Sequence, residues 1–269
     1  MIQSGTKPHR LRLFEADYIK SFHPQIYAGT AAYPQFPIEY LTDKTNWLPD
    51  QNAEGQPEGC TNYSQTKLAR ILGIPATVAT PQAAEAVTHA NANGGMGILA
   101  SFDIIITKLG WFKWRYIIQE KGILDFFDAC RLAQVSGLPE QRAISTGSPW
   151  FPSWEQAAQT GTKILPMPTA NELAQAHNNP TSLAWHDYVL DGWSQNFPVA
   201  VGQLLYRVES HQGSNIDYLY LDRATLNVVM DLYGTVQVVP TNFGAPNVAG
   251  VPLPAWFASL WHSWFGYAY

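Results

Sequence analysis

The chain has 269 residues, a formal net charge of −5 and charged side chains at only 14% of its positions, compared with about 25% in ordinary soluble domains. Proteins that bind nucleic acid normally present a basic surface, so the negative charge argues against a nucleic-acid partner. The length suits one large domain or two packed lobes. Scarce charge together with 10 Trp, 13 Tyr and 12 Phe is typical of a subunit buried in an assembly, or else of a Trp-rich core.

The cysteine content and the hydropathy pattern bear on the compartment. Two cysteines, Cys60 and Cys130, cannot form a disulfide framework, which favours an intracellular protein or at least a fold independent of disulfides. The N-terminal residues lack the apolar stretch of a signal peptide. Charged residues interrupt the longest apolar region, 94–118, so we expect no membrane span. No cofactor or metal is expected, because four further histidines lack a metal-ligand spacing with either cysteine: His89, His177, His211 and His262.

The first half of the chain is predicted to be rich in helices. Residues 1–49 lack periodicity and contain five prolines, which predicts an extended arm that packs on its own domain or on a neighbouring subunit. Helices are predicted at about 60–72 and 81–89, followed by an amphipathic helix at 123–135. The segment 97–118 is rich in β-branched and aromatic residues and is ambiguous between strand and helix.

The second half is predicted to be rich in strands. It is preceded by a Pro- and Trp-rich loop, SPWFPSW at 148–154. The predicted elements are short helices at 154–159, 171–177 and 223–232, and strands at 185–193, 202–210, 216–222 and 235–240. This order predicts an α+β fold for residues 50–240, with a helical lobe at about 50–165 and a β-rich lobe at about 166–240.

The C-terminal tail, 241–269, concentrates aromatic side chains. Its last part, PLPAWFASLWHSWFGYAY, carries apolar residues at helical spacing. It has no Lys or Arg, which an interfacial membrane helix usually carries on its polar face. We therefore expect the tail to pack on its own domain or in an assembly interface. The arm and the tail are the predicted contacts to protein partners or to further copies of the chain.

Cys60 stands at a position that favours a reactive thiol. A thiol is an effective nucleophile only as the thiolate, so its free pKa of about 8.5 must be lowered. The N-terminus of a helix favours negative charge, and Cys60 follows Gly59 at the start of the first predicted helix. A catalytic thiolate also needs an imidazole, a group that orients the imidazole, and donors for the oxyanion.

The segments around Cys60 and further along the chain resemble a known family. PDQNAEGQPEGCTNYSQTKL at 49–68 resembles the nucleophile region of papain-like cysteine peptidases, and WHDYVLDGW resembles the family's histidine strand. The resemblance covers about Asp50 to Asp222. It implies a papain-like fold in which Cys60 is the nucleophile, His186 the general base and Gln51 the oxyanion-hole glutamine. The separation of 186 − 60 = 126 residues suits a helical lobe between nucleophile and base.

The nucleophile segment departs from the family's pattern at two places. The interval from Gln51 to Cys60, 60 − 51 = 9 residues, is longer than the family's usual one. Gln56 therefore competes with Gln51 for the oxyanion role. Cys60 is followed by Thr61-Asn62 instead of Ser-Trp.

The group that orients the histidine is a third departure. YRVESHQGSNIDYLYLD at 206–222 resembles the family's Asn-Ser-Trp-Gly strand and turn and the Tyr-rich strand after it. This alignment puts Ser210 at the position of the orienting Asn, where a serine can still accept an imidazole N–H. Asn215 or Glu209 could substitute if the turn is shifted.

Two functions follow from the resemblance. The first is a cysteine peptidase or amide hydrolase, a subunit of a larger assembly that acts on a peptide or peptidoglycan-type substrate. The second is a catalytically inactive structural or interaction protein, which the missing Asn, the low charge, the aromatic tail and the long N-terminal arm favour. A phage virion component is one example, because the motifs look similar to those of bacterial and phage proteins. The expected location is then the cytoplasm or a virion. Residues 59–63 also resemble the Gly-x-Cys-Thr-x-Tyr start of CHAP-type amidases, whose histidine normally follows sooner.

Overall fold

The computed structural model describes residues 6–7, 40–41, 48–117, 143–210, 218–232 and 234–241. The helix predicted at 123–135, which contains Cys130, lies outside these residues, as do most of the predicted arm and the tail after residue 241. Three further residues considered above also lie outside them: His211, Asn215 and His262.

The α-helices of the described residues lie largely where the sequence predicts them. They are α1 Cys60–Ile71, α2 Pro81–Thr88, α3 Ile98–Lys108, α4 Pro152–Gln159, α5 Ala170–Asn178 and α6 Arg223–Met230, with a 3-10 turn at Pro180–Ser182. The helices predicted near Cys60 and Pro81 and the three short helices of the second half are thereby confirmed.

One antiparallel sheet dominates the described residues. The strands are β1 Thr6–Lys7, β2 Tyr40–Leu41, β3 Met96–Gly97, β4 Trp114–Ile117, β5 Ile144–Trp150, β6 Ala184–Ser194, β7 Leu205–Glu209, β8 Leu219–Asp222 and β9 Val236–Thr241. The sheet has the order β4-β9-β5-β6-β7-β8, and β2 also pairs with β6. A separate parallel pair joins β1 to β3. Helices and an antiparallel sheet together make an α+β fold, as the sequence predicts.

The segment that is ambiguous in sequence contains both kinds of element. β3 ends at Gly97, α3 follows directly, and Gly110, with a φ of +65°, turns the chain out of the helix towards β4. Arg115 on β4 donates from Nε and Nη2 to the carboxylate of Asp103 on α3, at 2.7 and 2.9 Å. This bidentate pair stabilises the packing of β4 against α3.

The predicted loop at 148–154 is wrong except at Phe151, because Ser148–Trp150 complete β5 and Pro152–Trp154 begin α4. All seven residues of β5 are buried. Pro149 is tolerated because β9 pairs only with Ser145–Gly147, so the proline lies beyond the ladder on that side. Local turn signals were outweighed here by burial against strands that are distant in sequence.

The sheet draws on both halves of the chain. β4 and β5 precede residue 165, yet they lie in the same sheet as β6–β9. The predicted boundary near 165 therefore does not separate a helical part from a strand part. Of the predicted helical part, α1–α3 all precede β5.

The two faces of the sheet bury different side chains. Val189 packs with Leu68 of α1 and Phe102 of α3. Its neighbour Leu190 packs with Trp154 of α4 and belongs to the other cluster. Successive residues of a strand point to opposite faces, so α1 and α3 cover one face while α4 covers the other.

Helix α5 begins with a capping box that also reaches α4. The Thr169 Oγ1 accepts the Glu172 N–H at 3.3 Å, and the Glu172 carboxylate accepts the Thr169 N–H at 2.8 Å. The same carboxylate accepts the N–H and the hydroxyl of Ser153 at 2.8 and 3.0 Å. Burial raises the pKa of Glu172, but these hydrogen bonds outweigh it and leave the pKa below its usual value.

We expect Glu172→Gln to lower the free energy of unfolding by about 1 kcal/mol at pH 7. A carboxyl whose pKa is lower in the folded chain stabilises the fold above its unfolded pKa of about 4.3, and this contribution disappears as the pH falls through the folded pKa. Urea unfolding at pH 7 and pH 3 should therefore show a smaller difference between wild type and variant at pH 3 than at pH 7. Glu155→Gln on α4 is the control, and an equal loss at both pH values would contradict this account.

Candidate functional site

Cys60 is the first residue of α1 and is fully buried. The main-chain N–H of Asp187, on β6, donates to the Cys60 Sγ at 3.4 Å. Asp187 directly follows His186, so the fold brings the sulfur to the histidine strand. Both the N–H and the N-terminus of a helix favour negative charge on sulfur.

The turn before Cys60 explains why α1 begins there. The Gln56 carbonyl accepts the N–H of Gly59 at 2.9 Å, and the Gly59 carbonyl accepts the N–H groups of Asn62 and Tyr63 at 2.9 and 3.2 Å. A Cβ on Gly59 would lie 3.1 Å from both Cβ and Oε1 of Gln56. A side chain at this position would push the Gln56 side chain away from the helix start.

Asn62 anchors the first turn of α1 to α2. Its Nδ2 donates to the Glu85 carboxylate at 2.8 Å, and its Oδ1 accepts the Thr88 hydroxyl at 2.8 Å. The amide is fully buried, so these partners satisfy both of its ends. The polar residue after Thr61 therefore holds the helix that presents Cys60.

His186 lies on β6 and is also fully buried. Its Nε2 is 2.6 Å from the main-chain oxygen of Ser210. A carbonyl oxygen only accepts, so Nε2 carries a proton, and Nδ1 is the basic nitrogen of the neutral ring. Trp150 packs edge-on against the imidazole with ring centroids 5.0 Å apart, and Tyr188 stacks at 6.4 Å. The tautomer and the ring plane are thus both determined by neighbours.

Ser210 orients His186 through its carbonyl, whereas the sequence pointed to its side chain. Every residue has a main-chain carbonyl, so this contact leaves no signature in the sequence. Glu209, the predicted alternative, pairs its carboxylate with Lys67 Nζ at 2.7 Å, and both side chains are fully buried. Glu209 therefore links α1 to β7.

Gln51 and Gln56 both lie beside the turn that precedes Cys60. The buried Gln51 side chain donates from Nε2 to the Pro57 carbonyl at 2.8 Å, and its main-chain oxygen accepts the Gln56 N–H at 2.8 Å. Gln51 thus closes the loop, and an amide nitrogen has a second N–H to offer. The Gln56 side chain folds over Gly59.

The Asp187 carboxyl joins three elements and was not singled out in the sequence. Ser145 on β5 donates its hydroxyl to Oδ1 at 2.7 Å. Burial raises the pKa of Asp187 well above its usual value, and hydrogen bonds from Ser145 and from Ser64 on α1 offset this only in part. Ser64 is one turn after Cys60, so the main chain and the carboxyl of Asp187 are both directed towards the same face of α1.

A second buried ion pair lies between β6 and β7. Arg207 donates to the Asp191 carboxylate at 2.6 and 2.9 Å, and its guanidinium lies 4.4 Å from the centre of the Tyr218 ring. The pairing of β6 with β7 shifts register between Leu190 and Gly192, so Asp191 sits in a β-bulge. Burial raises the pKa of Asp191, although Arg207 and Lys67 oppose this.

Two negative findings hold for the described part of the chain. It contains no group of three or more His, Cys, Asp or Glu side chains placed to hold a metal ion. None of its helices has the length and apolarity needed to cross a bilayer.

Comparison of the sequence with protein-family models finds no match. Comparison with curated proteins finds no significant relative.

We expect Asp187→Asn to make the protein more stable than wild type, and increasingly so as the pH rises. The pKa of Asp187 is raised in the folded chain, whereas the unfolded carboxyl ionises above a pH of about 4. Above that pH the folded wild type must either keep a proton on Asp187 or bury a negative charge, and both lower its stability relative to the unfolded chain. The gap in unfolding free energy should widen by at most about 1.4 kcal/mol per pH unit and stop widening above the folded pKa.

Chemical denaturation from pH 4 to pH 8 measures this gap. Asp231→Asn, at an exposed carboxyl, is the control and should show no such widening. A gap that narrows with rising pH would mean that Asp187 is ionised and stabilising in the folded protein.

Proposed function

We propose that the chain is a papain-like cysteine peptidase or amidase in which Cys60 and His186 form the nucleophile and base. The observation that carries the proposal is that Cys60 and His186 are held at neighbouring residues of β6. The Cys60 sulfur receives the N–H of Asp187, the residue after His186, and the His186 ring is held by the Ser210 carbonyl. A cysteine at a helix start and an oriented imidazole on the adjoining strand are the two parts that such a reaction needs.

The reaction follows from the tautomer of His186. With the Nε2 proton donated to Ser210, Nδ1 takes the thiol proton of Cys60, and the thiolate attacks the amide carbonyl. The protonated Nδ1 then gives its proton to the leaving amine, which leaves a thioester on Cys60. Water, deprotonated by the same nitrogen, hydrolyses the thioester and restores the thiol.

The oxyanion of the tetrahedral intermediate needs preorganised N–H donors. We assign this role to the Cys60 N–H, at the first turn of α1, and to the second N–H of the Gln51 amide. The bond from Gln51 to Pro57 supports the assignment because it fixes the amide beside the helix start. Gln56 is the rival donor, since its side chain covers Gly59.

The substrate class is an amide, either a peptide or a peptidoglycan cross-link. Contacts through the N-terminal arm and the aromatic tail to protein partners, or to further copies of the chain, remain part of the proposal. So does a place in the cytoplasm or in a virion.

A second candidate is an inactive papain-like structural or interaction protein, such as a virion component. One observation favours it: the side chains of Cys60 and His186 are both fully buried. A buried thiol behaves as a small apolar side chain, and a substrate carbonyl must reach the sulfur for turnover. The two candidates therefore differ in whether Cys60 reacts with molecules in solution.

We expect iodoacetamide to alkylate Cys60 faster than a free thiol at pH 6. As the pH is raised, the rate should stop increasing at a pH below about 8.5, the pKa of free cysteine. The Cys130→Ser background leaves Cys60 as the single thiol of the chain. His186→Ala should lower the rate at pH 6 at least tenfold, because the thiolate loses its imidazolium partner. His177→Ala, at an exposed position of α5, is the matched control and should change nothing.

Hydrolysis supplies the second measurement. A mixed peptide library and purified peptidoglycan are incubated with wild type and with Cys60→Ala, and cleavage should occur only with wild type. If Cys60 reacts no faster than Cys130 does in a Cys60→Ser background, and neither substrate is cleaved, the inactive structural protein is the correct reading.

A further inference from the structure

The Lys67–Glu209 ion pair lies at an unusual place for two charges. Lys67 is on α1, seven residues after Cys60, and Glu209 is the last residue of β7. Their nitrogen and oxygen are 2.7 Å apart and neither side chain has any exposed surface. Removing two charges from water is costly, so a buried pair is weak as a source of stability. A geometric role fits it better.

The pair closes a ring of contacts around the nucleophile and base. Glu209 is joined by a peptide bond to Ser210, whose carbonyl holds the His186 Nε2 at 2.6 Å. His186 is joined to Asp187, whose N–H reaches the Cys60 sulfur at 3.4 Å. Helix α1 then runs from Cys60 back to Lys67. The ion pair is the one link of this ring in which two side chains connect α1 to β7, the strand that leads into Ser210.

Positions 60, 64 and 67 lie on one face of α1, because three- and four-residue steps return to the same side of a helix. All three residues are fully buried. Cys60 contacts Asp187 on β6, and Lys67 pairs with Glu209 on β7. The same face of α1 therefore contacts both strands, at positions about two turns apart.

Other charges surround the pair but do not replace it. Arg207 and Asp191 bond to each other across β7 and β6, and Tyr218 lies against Arg207. This second pair connects neighbouring strands within the sheet, and neither partner is on α1. It provides a buried ion pair of similar chemistry for comparison.

We propose that Lys67 and Glu209 are positioning residues, whose ion pair fixes the Ser210 carbonyl relative to the Cys60 helix and thereby sets the orientation of the His186 imidazole. In its catalytic meaning the inference rests on the proposed function. The orientation of the ring, however, can be measured whether or not the protein turns over a substrate.

The test compares single variants with a double variant. Lys67→Met or Glu209→Met alone removes one partner of the buried ion pair and should lower the melting temperature strongly. Lys67→Met/Glu209→Met removes both charges and fills the space with side chains of similar length, so the melting temperature should recover towards wild type. A recovery of stability without a recovery of His186 geometry separates positioning from simple support of the fold.

Nitrogen NMR of ¹⁵N-histidine-labelled protein reports the geometry. The His186 signal is identified by its loss in His186→Gln. In wild type the Nε2–H tautomer should dominate, because a carbonyl accepts its proton. In the double variant, once its melting temperature has recovered, both neutral tautomers of His186 should be populated. The rate of alkylation of Cys60 at pH 6 should fall at least tenfold. Asp191→Asn should lower the melting temperature while keeping the wild-type tautomer and the wild-type alkylation rate.

The outcomes separate the two proposals. If wild-type Cys60 is unreactive but the tautomer changes in the double variant, the peptidase proposal fails and the positioning role stands. If the double variant keeps the wild-type tautomer and alkylation rate, the positioning role is overturned. Should the double variant fail to recover stability, the NMR comparison is made on Lys67→Arg, which keeps the charge but alters the donor geometry; an unchanged tautomer there, together with unchanged alkylation, also overturns it.

Discussion

The structure depends on one helix that is buried on all sides although its inward side chains are polar. Residues 60–69 of α1 are buried without interruption, so a polar group there is costly unless it finds a partner inside the protein. Asn62 finds Glu85 and Thr88, and Lys67 finds Glu209. Hydrogen bonds and ion pairs work over a narrow range of distance and angle, so these contacts determine the height and rotation of the helix more strictly than apolar packing would.

The sheet complements the helix at the same points. The main-chain N–H of Asp187 on β6 donates to Cys60, the first residue of α1. Glu209, the last residue of β7, pairs with Lys67, about two turns further along the same helix. The bulge at Asp191 lies two residues beyond Val189, which pairs with Glu209, and is stabilised by Arg207. Two buried ion pairs in one small region carry a large desolvation cost. That cost is consistent with a region where geometry is selected ahead of stability, as the proposed nucleophile and base require.

Local sequence patterns account for most of the elements and fail where pairing is non-local. Neighbouring residues alone predict the start of α1 after Gly59, the helix start at Pro81 and the strand around Val189. β5 is not, because its Gly, Ser and Pro are turn formers and only pairing with β6 and β9 makes them a strand. Likewise 97–118 holds a helix and a strand in succession, and averaging over the whole segment hides both.

The sequence alone predicted that a cysteine begins a helix and that a histidine lies on a strand, because an apolar stripe at helical spacing and a run of aromatic and β-branched residues are local properties of the chain. The tertiary structure decided what surrounds them. The Asp187 N–H at the sulfur and the Ser210 carbonyl at the imidazole are main-chain groups, which every residue carries, so no residue type announces them. Lys67 and Glu209 are 209 − 67 = 142 positions apart. A charged residue is predicted from sequence to be exposed to solvent, and only the tertiary structure shows that these two are buried as a pair.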